Sequence, residues 1–188
     1  MPECPYPMPT VVKNFPEGEK MLLMILLIAG IIMRFLPLAP NAAPVAAIAL
    51  FSGAYLNKKI GPWVPLLIMA VTDLFIGSHG IMFFTWGAFL IIGLSGVYLK
   101  KSRTPAVMIG STVAASILFF IISNAGVWLY WYPKTLAGLT DCFIKAIPFF
   151  RTSLLSNLIF AFIFTGAYEF SKEHIKEDKL KHILLGTG

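Results

Sequence analysis

PAVMIGSTVAASILFFIISN (105–124) is a run of twenty residues without one ionisable side chain. At helical rise it is about 30 Å long, the thickness of the hydrocarbon core of a bilayer. Pro105 suits the first turn of a helix, where its missing N–H would have had no partner anyway. The stretch reads as a transmembrane helix, and it sets the scale for the rest of the chain.

Five further apolar segments lie around it. The first, 20–36, is stopped by Pro37, and the second, 42–57, is short, Ala-rich and opened by Asn41 and Pro44. The third, 60–77, has Pro62 and Pro65 in its first turns, and the fourth covers 83–100. The last covers 149–171. Between 124 and 149 lies a stretch that is aromatic first, then weakly amphipathic from Lys134 to Ile147, and closes on Pro148; it reads as an outer connection. The expected fold is an all-α integral membrane protein, a bundle of six transmembrane helices over 20–171. A proline-rich cytoplasmic arm, 1–19, precedes it, and a charged cytoplasmic tail, 172–188, follows and reads as a solvated helix end.

Composition agrees. Apolar residues make up 57% of the 188 and charged ones 13%, with mean hydropathy +0.79, too little charge to cover a soluble surface. The net charge of +6 sits in short clusters between apolar runs rather than in a stripe. That pattern fixes topology and meets anionic lipid; nucleic acid is not expected as a partner. Met21 to Met33 follows Lys13 and Lys20 as a signal peptide would, but it begins late, and Arg34, Pro37 and Pro40 spoil the small-residue stretch Ala39–Ala43. We read it as a retained helix. Cys4 and Cys142 have no metal-ligand spacing and fall on opposite sides of the bilayer, which excludes a mutual disulfide.

Charge also orients the chain. With the N-terminus cytoplasmic, the inner segments carry eleven Lys and Arg (Lys58, Lys59, Lys100, Lys101 and Arg103 among them), against four outside, namely Arg34, Lys134, Lys145 and Arg151. This positive-inside bias places both termini in the cytoplasm and requires an even number of crossings. The expected location is a bacterial cytoplasmic (inner) membrane.

In that topology the intramembrane polar groups gather in the outer third: Asn41, Asp73, His79, Trp86, Asn124, Arg151 and Asn157, with Trp128, Tyr130, Trp131 and Tyr132 in the following connection. Polar side chains at membrane depth face a bundle interior or a wet cavity. Aromatic faces with a few polar groups are what a small-molecule site needs. The candidate ligand-binding set is Asn41, Asp73, His79, Trp86, Asn124, Trp128, Trp131, Arg151 and Asn157, with Val127–Pro133 as an aromatic lid. Each has a plainer reading. The aromatic residues suit an interfacial belt, Asp73 a pairing with Arg34 or Arg151, His79 a hydrogen-bonded loop position, and the two Asn interhelical glue. Ala42/Ala46, Ala43/Ala47, Ala49/Gly53 and Gly110/Ala114 are expected to mark close helix packing inside the bundle. No Gly-rich phosphate loop, HExxH or GxSxG occurs. No catalytic role, metal or cofactor is expected.

RFLPLAPNAAPVAAIALFSGAYL (34–56), VPLLIMAVTDLFIGSHGIMFFTWGAF (64–89) and SNAGVWLYWYPKTLAGLTDCFIKAIPFFRTSLLSN (123–157) resemble a bacterial family of uncharacterised six-helix membrane proteins of transport type. Through the Gly-containing helix end, loop and Asp-Leu helix end at 53–74, the chain is similar to the substrate-binding S components of energy-coupling-factor (ECF) vitamin transporters. The resemblance implies a six-helix bundle with an outward pocket, taking up a vitamin-like molecule with a coupling subunit and two ATPases. S components carry an Ala-x-x-x-Ala docking face on their first helix; here that helix has only adjacent Ala29 and Gly30, so a solitary transporter stays open beside a coupled one. Two other functions also remain open: an intramembrane enzyme acting on a lipid-linked substrate through Asp73 and His79, and a structural or assembly subunit.

Overall fold

The computed structural model describes residues 17–36, 42–77 and 80–185. Asn41 and His79 lie outside them. Six α-helices, α1 (Glu17–Phe35), α2 (Val45–Tyr55), α3 (Val64–Ile76), α4 (Met82–Tyr98), α5 (Pro105–Trp131) and α6 (Leu136–Leu185), account for almost all of the described chain. Two 3-10 turns, Gly61–Trp63 and Leu99–Lys101, join them, and no strand occurs among the described residues. Met82–Lys101, Pro105–Trp131 and Leu136–Tyr168 are long and apolar enough to cross a membrane; the other apolar helices are shorter.

The bundle is built around α2. Every residue from Val45 to Tyr55 is buried, and α2 packs against each of the other five helices. Small residues make this possible. A Cβ on Gly53 would strike the Gly93 carbonyl of α4, and one on Gly96 would strike the Leu50 carbonyl of α2, so the two backbones touch. Ser52 continues the seam by donating to the Gly61 carbonyl at 2.8 Å. Ala42/Ala46, Ala43/Ala47 and Ala49/Gly53 do lie in or beside this interior, but Gly110 and Ala114 are exposed and face outward, against expectation.

Polar and apolar groups are distributed inside out. Ser52, Thr72, Asp73, Thr112, Ser116, Ser123, Ser153 and Asn157 are buried, while Leu74, Phe75, Phe83, Leu136, Ile144, Leu155, Phe162 and Ile163 are exposed. An apolar exterior this continuous suits lipid rather than water.

The largest departure from the sequence reading concerns α5 and α6. In place of a long outer connection there is a helical hairpin closed by residues 132–135. α5 continues past Asn124 to Trp131 because nothing breaks it before Pro133. α6 starts at Leu136, where the Thr135 hydroxyl accepts from the Gly138 N–H at 3.1 Å, and it runs through Pro148. Pro148 is exposed, so the carbonyl it leaves without a helical partner stands on the outer side of the helix. The aromatic segment is thus the last two turns of a helix. Lys134 folds back on it, donating to the Trp128 carbonyl at 3.0 Å and to that of Leu129, which Pro133 leaves without a helical donor.

Candidate functional site

Consecutive helices run in alternate directions, so the end of α1, the start of α2, the end of α3, the start of α4, the end of α5 and the first half of α6 meet at one end of the bundle. A partly open cavity of about 640 Å³ lies there. Its polar lining is Arg34, Thr85, Ser116, Ser123, Asn124, Tyr132, Lys145, Ser153 and Asn157; Phe89, Phe119, Phe120, Phe149 and Phe150 supply flat apolar walls.

Ala42, Ala43, Val45 and Ala46, at the start of α2, also line the cavity. Pro44 gives α2 no side-chain cap. The cap comes from α6 instead: Asn157 Oδ1 accepts from the Ala47 N–H at 3.1 Å, while Nδ2 donates to Ser116 Oγ of α5 at 3.2 Å and Ser153 Oγ at 3.3 Å. Asn157 is 1% exposed. One amide thereby ties α2, α5 and α6 together and satisfies an N–H that the helix geometry leaves without an internal partner. Ser156 Oγ adds a bond to the Ala42 carbonyl.

Arg34, in the last turn of α1, is held by Asp73 of α3, with Nη2 to Oδ1 at 2.6 Å. The other carboxylate oxygen accepts from Trp86 Nε1 of α4 at 3.0 Å. Arg34 Nη1 donates to the Met69 thioether at 3.1 Å, and its buried Nε has no partner. Of the two arginines considered for Asp73, Arg34 is therefore the partner; Arg151 is exposed and is not part of the cavity.

Among the residues expected to bind ligand, Asn124 and Asn157 line the cavity, and Asp73 and Trp86 stand directly behind Arg34. Trp128 and Trp131 do not line it. Trp128 Nε1 donates to the Pro133 carbonyl at 3.0 Å and so closes the hairpin turn, and Trp131 is 60% exposed. Val127 and Tyr132, of the same Val127–Pro133 stretch, do line the cavity. Sequence reasoning missed Arg34 and Lys145 as lining groups, along with the phenylalanine walls. The spacing Phe119, Phe120 and Phe149, Phe150 on two segments that end near the same polar cluster was the available signal.

A family model matches residues 16–179, nearly the whole chain. The chain belongs to DUF6580, a family of unknown function. No curated protein and no solved structure matches it. The DUF6580 match covers α1 to α5, α6 as far as residue 179 and every wall of the cavity, and no group of three or more His, Cys, Asp or Glu able to hold a metal ion occurs among the described residues.

Proposed function

We propose that this DUF6580 protein is a substrate-binding membrane transport protein that takes a vitamin-like small molecule into a cavity facing the outside of a bacterial cytoplasmic membrane. The observation that carries the reading is the cavity itself. Its volume falls in the range of small-molecule sites, and it combines aromatic walls with a few polar groups supplied by α1, α4, α5 and α6.

In this reading the chain crosses six times and both termini are cytoplasmic. Lys58, Lys59, Lys100, Lys101 and Arg103 stand at the end away from the cavity, where Lys100 reaches the Leu56 carbonyl and Arg103 covers the Tyr55 ring at 5.1 Å. No carboxylate shares those two connections, so by the positive-inside tendency that end is cytoplasmic and the cavity faces out. At 11 residues α2 is too short to span alone. Its crossing is completed by non-helical backbone at 42–44, which lines the cavity, as irregular backbone at membrane depth must.

Kinship with ECF S components rests on the sequence pattern at 53–74 alone. The small residues of α2 are used inside the bundle against α4, so a coupling subunit with its ATPases would dock on another helix, or the protein works alone. Asp73, the only carboxylate near the cavity in α3, has both oxygens engaged, which favours a counter-ion over a general base for a lipid-linked substrate. Native mass spectrometry of the gently purified protein tests the proposal: a retained small molecule, lost on filling the cavity by Ala46→Phe, is expected. Equal retention by the two proteins would refute it.

A further inference from the structure

We propose that the cavity selects a small organic acid, a single carboxylate on a flat apolar body; this rests on the cavity being a ligand site. Its lining contains two cations, Arg34 and Lys145, and among the described residues no Asp or Glu. Asp73 neutralises Arg34 from behind, on the side of α3, and its second oxygen is occupied by Trp86. The carboxylate thus fixes the guanidinium in place without presenting negative charge to the cavity.

Asp73 and Met69 use only part of the donor capacity of Arg34. Its Nη1 rests on a thioether, a weak acceptor. A ligand carboxylate in that position would replace the sulfur with a charge-assisted hydrogen bond, which is the stronger kind. Lys145 offers the second positive group. Its partner Asp141, 2.7 Å away and one turn back on α6, is itself half-exposed, and a pair so open to water is weak and readily exchanged.

A cationic ligand would meet these two groups with no carboxylate in the lining to answer it. One guanidinium already paired with Asp73 and one lysine suit a single negative charge better than a doubly charged phosphate. Phe89, Phe119, Phe120, Phe149 and Phe150 suit the rest of the molecule, since flat rings bury well against other rings.

The test uses the full chain in detergent with matched probes: nicotinate, indole-3-acetate and 1-naphthaleneacetate, each beside its carboxamide and its amine analogue. Thermal shift and equilibrium binding are read together with native mass spectrometry of the protein as purified. At least one acid should bind about tenfold tighter than its carboxamide, and its amine should not bind. Lys145→Gln, an exposed change that leaves folding alone, should weaken the acid and not the carboxamide. The charge-neutral double variant Arg34→Gln/Asp73→Asn should bring the two affinities together. A carboxamide or amine that binds as tightly as its acid overturns the proposal and leaves the ligand cavity standing. If no probe binds, the charge of the co-purified molecule decides: an anion supports the proposal, and a neutral or cationic molecule overturns it. If no probe binds and nothing co-purifies, the ligand-site reading fails and this proposal fails with it.

Discussion

Replacing Asn157 with Ala should destabilise the bundle far more than the loss of one polar side chain at a helix interface would suggest. The substitution removes an acceptor for the Ala47 N–H at 3.1 Å and donors to Ser116 and Ser153 at 3.2 and 3.3 Å. The two hydroxyls lose little, because interhelical hydrogen bonds in membranes average about 0.6 kcal/mol and Ser116 keeps its bond to the Thr112 carbonyl. The Ala47 amide has no substitute. It is buried in the first turn of α2, and Pro44 offers no side-chain cap. An unsatisfied buried N–H costs about 1–3 kcal/mol, so the whole change should cost about 2–4 kcal/mol. Unfolding in mixed micelles titrated with sodium dodecyl sulfate would measure it, beside Ser116→Ala, which removes one bond and should cost less than about 1 kcal/mol. If the two variants prove equally stable, the orphaned amide carries no penalty and the capping argument is wrong.

Gly53→Ala should sharply lower the folded yield on size exclusion, since its Cβ meets the Gly93 backbone, whereas Gly110→Ala, in open space, should leave the yield unchanged or improve it. Asp73→Asn should cost about 1.5–3 kcal/mol by leaving the half-buried Arg34 without its charged partner, and a double replacement by Leu at 73 and Met at 34 should recover most of that; equal stability of single and double variants would exclude the pair as a unit. Trp131→Ala should change neither ligand retention nor apo melting temperature, because the ring is largely exposed and outside the cavity; a loss of affinity would restore the lid. A single cysteine at Lys134 should react with an impermeant thiol reagent from outside the cell and one at Ser102 should not, and the reverse pattern would invert the proposed orientation.

The polar end of the bundle was legible because membrane depth makes each polar residue conspicuous. Asp73, Asn124 and Asn157 stand out among Ile, Leu and Phe, and alternate helix directions bring their positions together. What each does was not legible. That Asn157 caps a helix 110 residues earlier in the chain depends on α2 starting at Val45 with a proline in front of it, a matter of three-dimensional register. The choice of Arg34 over Arg151 for Asp73 likewise needs the packing of α1 on α3. The extent of α5 and α6 was misread for a local reason. Pro148 reads as a stop in the sequence, but its position on an exposed face lets the helix continue; the density of Trp and Tyr after Asn124 reads as a loop, but no breaker precedes Pro133. Thr135, three residues before Gly138, was the overlooked start signal.

The cavity and the brevity of α2 have one cause. α2 is 11 residues, about 16 Å long, against the 27 residues of α5 and the 33 of the apolar part of α6 beside it. A central helix that stops short leaves the space above its first turn to be filled by side chains or left open. At that level the chain supplies Ala42, Ala43 and Ala46, which are too small to fill it, and the phenylalanines of α4, α5 and α6 stand around the gap as walls. The same truncation exposes the N-terminal amides of α2 to an apolar interior, which is why Asn157 is needed to accept from Ala47, while Ser156 donates to the Ala42 carbonyl just before the helix. It also turns the positive end of the α2 dipole toward the opening, adding to the sign set by Arg34 and Lys145. Lengthening α2 toward a full span would close the cavity and remove the need for its cap together, so the polar residues at this depth are the consequence of keeping the centre of the bundle short.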